Sequence, residues 1–166
     1  MTIHFVVRIV VQKMNRKLVQ LGLATVLSLG IGARAGAADV VKPEDAVKYR
    51  QSVYTLIKWN FAPIDTMVKG EVPYDADAVA RHAAFLEMLS KMPLEGFTPN
   101  SDVGNTKAKP EVWKNWQEFE KLMNNFQEAA ARLYQAAKSG DQNAVKTQFG
   151  NTAKACKGCH DKFRQE

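Results

Sequence analysis

Residues 110–140 read PEVWKNWQEFEKLMNNFQEAAARLYQAAKSG. Apolar side chains recur in this stretch at alternating steps of four and three residues, and this spacing places them along one face of an α-helix. The row consists of Val112, Trp116, Phe119, Met123, Phe126, Ala130, Leu133 and Ala137. A helix with one continuous apolar face buries that face against other elements. We therefore expect one long helix that starts at Pro110 and ends near Ser139 and Gly140.

Three further segments show helical periodicity. The first runs from Pro43 to Gly70, and Pro63 inside it is expected to kink the helix. Its rows are Val47, Tyr54, Phe61 and Val68, with Arg50, Ile57 and Ile64 on the alternate row. The second follows Asp75 and ends at Pro93, with the row Ala78, His82, Phe85, Leu89 and Met92. The last starts with Asp141 as N-cap, and its row is Val145, Phe149, Thr152, Cys156, Cys159 and Phe163.

These four helices define the expected architecture. No segment alternates with a period of two, and the links are short except for residues 94–109, which are rich in Gly, Pro, Asn and Ser. Amphipathic helices joined in this way form an all-α, antiparallel up-down four-helix bundle.

The first 37 residues have the composition of a leader. They hold five Lys or Arg and no acidic residue, which leaves only +1 of the net charge of +6 for the rest of the chain. This stretch has the three parts of a secretory signal peptide. They are a basic start at Met14, a mostly apolar run over residues 18–33 and a small-x-small end at residues 35–37. We expect the true start at Met14, cleavage after Ala37, and one domain at residues 38–166. An uncleaved anchor is the alternative, although the apolar run is short for a membrane span.

This charge distribution bears on possible partners. The alkaline pI of the whole chain arises mostly from the leader, so the composition gives no reason to expect nucleic-acid binding. Once the leader is removed, we expect no association with a membrane either.

Residues 156–160, Cys-Lys-Gly-Cys-His, carry the chemistry of this sequence. Covalent haem attachment requires two thiols that add to the porphyrin vinyl groups, and a histidine directly after them that reaches the iron. A disulfide would close too small a loop to stabilise a domain of this size, and a zinc site needs about four ligands. Cys156, Cys159 and His160 share the inward side of the last helix. We therefore predict one covalent haem c with His160 as axial ligand.

Arg50 and Tyr54 are candidate haem contacts on the first helix. A buried Arg50 without a partner is costly, and haem propionates would supply carboxylates for it. The alternative is that Arg50 reaches solvent at a frayed helix end. Tyr54 lies one helical turn after Arg50. A methionine at this position could bind the iron as a sixth ligand and would make the protein a low-spin electron carrier. Met88, Met92 and Met123 have the spacing of packing residues, and His82 is expected to pack or to lie on a dimer face. We therefore expect five-coordinate iron.

The chain resembles cytochrome c′, the high-spin branch of the class II c-type cytochromes, over nearly all of residues 38–166. The resemblance rests on KPEDAVKYRQS at residues 42–52, PYDA at residues 73–76, PEVW at residues 110–113, and the terminal Cys-Lys-Gly-Cys-His motif followed by Asp161 and Arg164. It implies a periplasmic homodimer packed through the first two helices. It also implies roles for individual residues: Arg50 and Gln51 at the propionates, Tyr54 at the distal position, Phe97 and Phe119 around the haem, and Arg164 beside the proximal His160.

The first functional hypothesis is a protein that binds nitric oxide and carbon monoxide and buffers or senses nitric oxide. The alternative is a low-spin electron-transfer cytochrome that exchanges electrons with redox partner proteins. A peroxidase-like or nitric-oxide-reducing enzyme is a weaker alternative, because Tyr54 is a poor acid–base group near neutral pH. The chain is therefore not expected to be an enzyme.

Overall fold

The computed structural model describes residues 41–166, so the predicted leader and its cleavage site lie outside the described residues. The helices are α1 (Pro43–Val68), α2 (Ala76–Leu89), α3 (Glu111–Lys114), α4 (Trp116–Ser139) and α5 (Gln142–Phe163), with a short 3-10 helix at Pro93–Gly96. The long helices α1, α2, α4 and α5 form the expected four-helix bundle, and residues 41–166 contain no β-strand. In this described part, no helix is both long enough and apolar enough to cross a membrane.

The helix ends follow from local chemistry. Pro43 opens α1, where its missing N–H costs nothing, and α1 continues through Pro63. Asp75 caps α2, since its carboxylate accepts from the backbone N–H of Ala78. Asp141 caps α5 by accepting from the N–H groups of Asn143 and Ala144, as the sequence predicts. Gly140 adopts φ +74° after α4, a conformation that favours glycine.

The predicted third helix is wrong in one respect, because it is interrupted at Asn115. Asn115 has φ −119° and ψ 47°, which separates the single turn of α3 from α4. The apolar row nevertheless continues across the interruption. Val112, Phe119 and Met123 are buried, and Trp116 is half-buried.

The predicted inward row of α2 is also wrong. The buried residues of α2 are Val79, Ala83, Leu86 and Leu89, so of the predicted row within the helix only Leu89 is buried. Phe85 is exposed, and α2 ends at Leu89 rather than Met92. Apolar residues, five of them alanines, lie on most sides of this short helix. Its sequence therefore defines a wide apolar face, and packing against α1 and α4 selects the buried part of it.

The core lies between the four long helices. Ile57 and Ile64 of α1, Leu133 of α4 and Val145 of α5 are buried there. Tyr54 and Phe61, on the other predicted row of α1, are only partly buried. Both of these aromatic side chains line a cavity near α5, which accounts for their incomplete burial by protein atoms.

His82 contacts α1 rather than the bundle core. Its Nδ1 lies 3.0 Å from Oδ1 of the buried Asn60, whose Nδ2 donates to the carbonyl of Leu56. Since Asn60 Oδ1 accepts, His82 carries its proton on Nδ1 in this arrangement. His82 is therefore a packed histidine, which agrees with one of the two roles expected for it.

Candidate functional site

One cavity of about 580 Å³ gathers every residue that the sequence analysis assigns to the site. This volume lies in the range of pockets that hold small molecules and cofactors. The predicted residues that line it are Arg50, Gln51, Tyr54, Phe97, Phe119, Cys156, Cys159, His160 and Arg164. They come from α1, α4, α5, the chain end and the connection after α2, so only the folded bundle brings them together.

The two cysteines lie on α5 and face the cavity as free thiols. Burial raises the pKa of the Cys156 thiol to about 11. Burial also raises the pKa of the Cys159 thiol to about 11, with a further contribution from the neighbouring Cys156. Both thiols are therefore protonated near neutral pH, and they are not joined in a disulfide.

His160 lies one turn after Cys156, lines the cavity and is partly exposed to solvent. Burial lowers the pKa of its imidazole, and the positive charge of Arg164 lowers it further, while Asp161 acts in the opposite direction. A neutral imidazole has a free lone pair and is the form that binds metals. Among residues 41–166, no group of three or more His, Cys, Asp or Glu side chains is arranged to hold a metal ion.

Aromatic residues form the apolar wall of the cavity. Phe97 and Phe119 are both buried, and their ring centroids are 4.7 Å apart in an edge-to-face arrangement. Phe163 continues the wall, with its ring centroid 5.3 Å from that of Phe119. Edge-to-face contacts of this kind fix the orientation of the rings as well as burying apolar area.

Tyr54 projects into the cavity from α1. Its hydroxyl donates to Sδ of Met123 at 3.7 Å. Burial raises the pKa of Tyr54 well above its usual value; the thiols of Cys159 and Cys156 raise it further, and Arg50 acts against them. Tyr54 is therefore a neutral phenol across the physiological pH range.

Arg50 is buried, with only 2% of its surface exposed, so the alternative of a solvent-exposed side chain is wrong. One terminal nitrogen donates to the carbonyl of Gly96 at 2.6 Å and to Oγ of Ser101 at 2.8 Å. The other donates to the carbonyl of Ser101 at 2.6 Å and to Oγ1 of Thr106 at 2.9 Å. The guanidinium also lies 4.7 Å from the ring centroid of Phe97, within cation–π range.

Gln51 contacts the same connection, because its Nε2 donates to the carbonyl of Asn105 at 2.7 Å. Arg50 and Gln51 thus tie α1 to residues 96–106, and we call this set of hydrogen bonds the loop clasp. The buried charge of Arg50 is met by carbonyl and hydroxyl oxygens, so burial alone does not require an anionic partner. Contacts of Arg50 and Gln51 with haem propionates remain a prediction from the resemblance.

Arg164 is exposed and lies just past the end of α5. Its backbone pairs with the connection between α2 and α3. Its N–H donates to the carbonyl of His160 at 3.0 Å, and it forms an isolated antiparallel bridge with Ala108. The flanking bonds run from Lys109 N–H to the Phe163 carbonyl at 2.9 Å and from Gln165 N–H to the Lys107 carbonyl at 2.8 Å. The chain end and residues 107–109 therefore close one side of the cavity together.

Several lining residues were not predicted as site residues. They include Thr106, Lys107, Ala108, Met123, Phe126 and Phe163. Met123, Phe126 and Phe163 appear in the sequence as members of apolar rows, and nothing in a periodic row separates cavity wall from core. Residues 106–108 belong to a connection without periodicity, so the sequence contains no signal for them.

The chemistry of the site fits a covalently attached porphyrin. Two protonated thiols and a neutral imidazole line the same cavity as several aromatic and apolar side chains. Tethered haem needs these groups: thiols for the thioether bonds, an imidazole for the iron, and apolar walls for the macrocycle.

Comparisons with known proteins agree with this chemistry. The sequence model of the family described as Cytochrome C′ matches residues 45–164. The chain is 43% identical over 126 residues to cytochrome c′ of Rubrivivax gelatinosus, covering 75% of this chain and 98% of that protein. Cytochrome c prime from Shewanella frigidimarina has a similar structure, with a TM-score of 0.74 and 44% identity over 75% of this chain and 98% of that one. A mutant of cytochrome c prime from Alcaligenes xylosoxidans, solved as a nitric oxide complex, has a TM-score of 0.71 and 38% identity over 75% of this chain and 97% of that one.

Proposed function

This chain belongs to the cytochrome c′ family, and from that premise we propose that it is an exported haem protein that binds nitric oxide and carbon monoxide. The diatomic ligand would bind at the haem iron that His160 would hold, in the cavity that Tyr54 also lines. The physiological role that follows is buffering or sensing of nitric oxide in the periplasm.

One covalent haem c is the cofactor of this family and of this chain. Its iron would supply the position at which a small ligand binds. We infer that Cys156 and Cys159 tether it. Each thiol would form a thioether by adding its sulfur and its hydrogen across a porphyrin vinyl group, so no group would be lost and no oxidant consumed. His160, which lies one turn after Cys156 on α5 and lines the same cavity, would hold the iron.

The observation that carries the proposal is the composition of the cavity wall. Among the described residues that line the cavity, His160 is the one imidazole and Met123 the one thioether. Tyr54 replaces the methionine that a low-spin carrier would place on α1, and its neutral phenol is a poor iron ligand and a poor acid–base group. The cavity wall thus offers one imidazole ligand among mostly apolar and aromatic side chains.

Support for gas binding also comes from the relatives, since the related protein from Alcaligenes xylosoxidans was solved with nitric oxide. The decisive experiment is the visible spectrum of the purified ferrous protein, with and without carbon monoxide. We expect a broad high-spin spectrum that changes when carbon monoxide is added. A sharp, split low-spin α band in the ferrous protein would contradict the five-coordinate assignment.

The electron-transfer alternative has one specific observation in its favour. Met123 lines the same cavity as His160 and is the kind of ligand that makes low-spin electron carriers. Rapid electron self-exchange without a carbon monoxide complex would support this alternative. An enzymatic role is not proposed, because the neutral phenol of Tyr54 is a poor acid–base group for peroxide chemistry.

We further infer a homodimer through α1 and α2. Leu56 and Trp59 lie one turn apart on α1, Phe85 and Met88 lie one turn apart on α2, and all four are exposed. Trp59 is 74% exposed, an unusual state for the largest aromatic side chain. Because α1 and α2 pack together, a second copy of this chain that covers these residues would bury apolar surface from both helices.

A further inference from the structure

The side chains of Met123 and Tyr54 are in contact in the wall of the cavity. Within residues 41–166, their hydrogen bond is the one that the structure shows for either side chain. The hydroxyl of Tyr54 lies 3.7 Å from Sδ of Met123, within hydrogen-bond distance for sulfur. Met123 is 2% exposed, and its side chain lies on the buried row of α4 between Phe119 and Phe126. The thioether is therefore held in place by packing, and the phenol donates to it.

Two properties make this contact informative. A thioether is a weak acceptor, so a buried hydroxyl donates to it when no oxygen acceptor is better placed. The same hydroxyl would be a competent donor to a ligand on the iron, because burial keeps the phenol protonated. The direction of the Tyr54 hydroxyl thus decides whether the distal wall presents a hydrogen-bond donor or only an apolar ring.

We propose that Met123 holds the hydroxyl of Tyr54 away from a bound ligand. The hydrogen bond from Tyr54 in turn keeps the sulfur of Met123 engaged as an acceptor. We call this contact the distal latch. The inference deepens the proposed function and rests on it. Tyr54 then acts on the ligand by its bulk, and Met123 sets the polarity of the site through Tyr54 without touching the ligand.

The latch predicts a specific effect when Met123 is replaced. Met123→Leu keeps the volume of the side chain and removes the acceptor. The freed hydroxyl of Tyr54 should then donate to bound carbon monoxide, which lowers the C–O stretching frequency and slows carbon monoxide dissociation by roughly two- to tenfold, the effect of one ordinary hydrogen bond. A purely structural role of Met123 would not move the stretching frequency in this direction.

Controls separate the latch from general repacking. Met67→Leu makes the same substitution at a buried position of α1 that does not line the cavity, and it should leave the C–O frequency unchanged. Tyr54→Phe removes the hydroxyl and keeps the ring, so the change caused by Met123→Leu should disappear in the double variant. An unchanged frequency in Met123→Leu, or a change that persists in the double variant, would overturn the latch.

A second readout does not depend on gas binding. A double-mutant cycle compares the unfolding equilibrium constants of the wild type, Met123→Leu, Tyr54→Phe and the double variant. We expect the effects of the two substitutions to be coupled by a factor of about two to five. If the wild-type protein forms no carbon monoxide complex, the proposed function fails, and this cycle alone decides the latch. Additive effects in the cycle would then refute it.

Discussion

The loop clasp gives the sharpest prediction about stability. Arg50→Met keeps an unbranched stem, shorter by the guanidinium, and removes all the donors that reach Gly96, Ser101 and Thr106. The carbonyls of Gly96 and Ser101 lie at buried residues, so both lose charged donors and gain no water as long as the segment stays packed on α1. We expect the segment 96–106 to detach from α1 or to remain attached with unsatisfied carbonyls.

The size of the effect follows from these two carbonyls. A buried polar group left without its partner costs about 1–3 kcal/mol, so two of them give a loss of roughly 2–6 kcal/mol. A domain of this length has a free energy of unfolding of about 5–15 kcal/mol, and the loss is a large part of it. The corresponding fall in Tm is on the order of 10–20 °C.

The measurement is chemical denaturation of the haem-loaded protein, combined with amide hydrogen exchange over residues 97–106. Gln51→Ala is the matched control, because it removes one hydrogen bond from an exposed side chain of the same helix turn. That variant should lose less than about 1 kcal/mol. If Arg50→Met were as stable as Gln51→Ala and its amide exchange were unchanged, the clasp would not hold the connection.

Gly96→Ala tests the clasp from the other side. A Cβ at this position would lie 2.7 Å from Cβ of Arg50 and 3.1 Å from the backbone carbonyl oxygen of Ala46. The clash should cost about 1–3 kcal/mol, as overpacking does elsewhere. Because both substitutions break the same contact, the Arg50→Met, Gly96→Ala double variant should lose less than the sum of the single losses. Strict additivity would show that they act on separate features.

Three further predictions concern the distal wall, the exposed face and a helix cap. Tyr54→Ala should speed carbon monoxide association, because bulk is removed from the access route; unchanged stopped-flow rates would show that Tyr54 does not guard the iron. Trp59→Lys should yield monomers at concentrations where we expect the wild type to sediment as a dimer, and an unchanged sedimented mass would exclude this face as the interface. Asp141→Ala should lower the free energy of unfolding by about 0.5–2 kcal/mol, since two N–H groups of α5 lose their acceptor; an unchanged denaturation midpoint would contradict this role of the cap.

The candidate site shows how far sequence reasoning extends. Cys156, Cys159 and His160 lie close together in the chain and on one helix, so their spacing alone places them side by side. Gln51 could be assigned to the same cavity only through the resemblance, whereas Arg50 and Tyr54 are also indicated by their positions on the first helix. The partners of Arg50 could not be predicted, because they belong to a connection whose conformation depends on contacts with α1.

The placement of Met123 illustrates a different limit. Its position in the apolar row of α4 is plain in the sequence, but a row of apolar residues does not show where the core ends and the cavity begins. The sulfur that meets the Tyr54 hydroxyl therefore looks like ordinary packing until α1 and α4 are seen together. The same holds for Phe126 and Phe163.

The sequence by itself determined the number of long helices, the buried rows of α4 and α5, the cap at Asp141 and the haem-attachment motif. Each of these depends on residues close together in the chain, where helix geometry converts spacing into position. Tertiary structure alone decided the buried face of α2, the interruption at Asn115, the loop clasp and the distal latch. These features arise where elements distant in sequence compete for the same space, and their outcome depends on packing that no local pattern records.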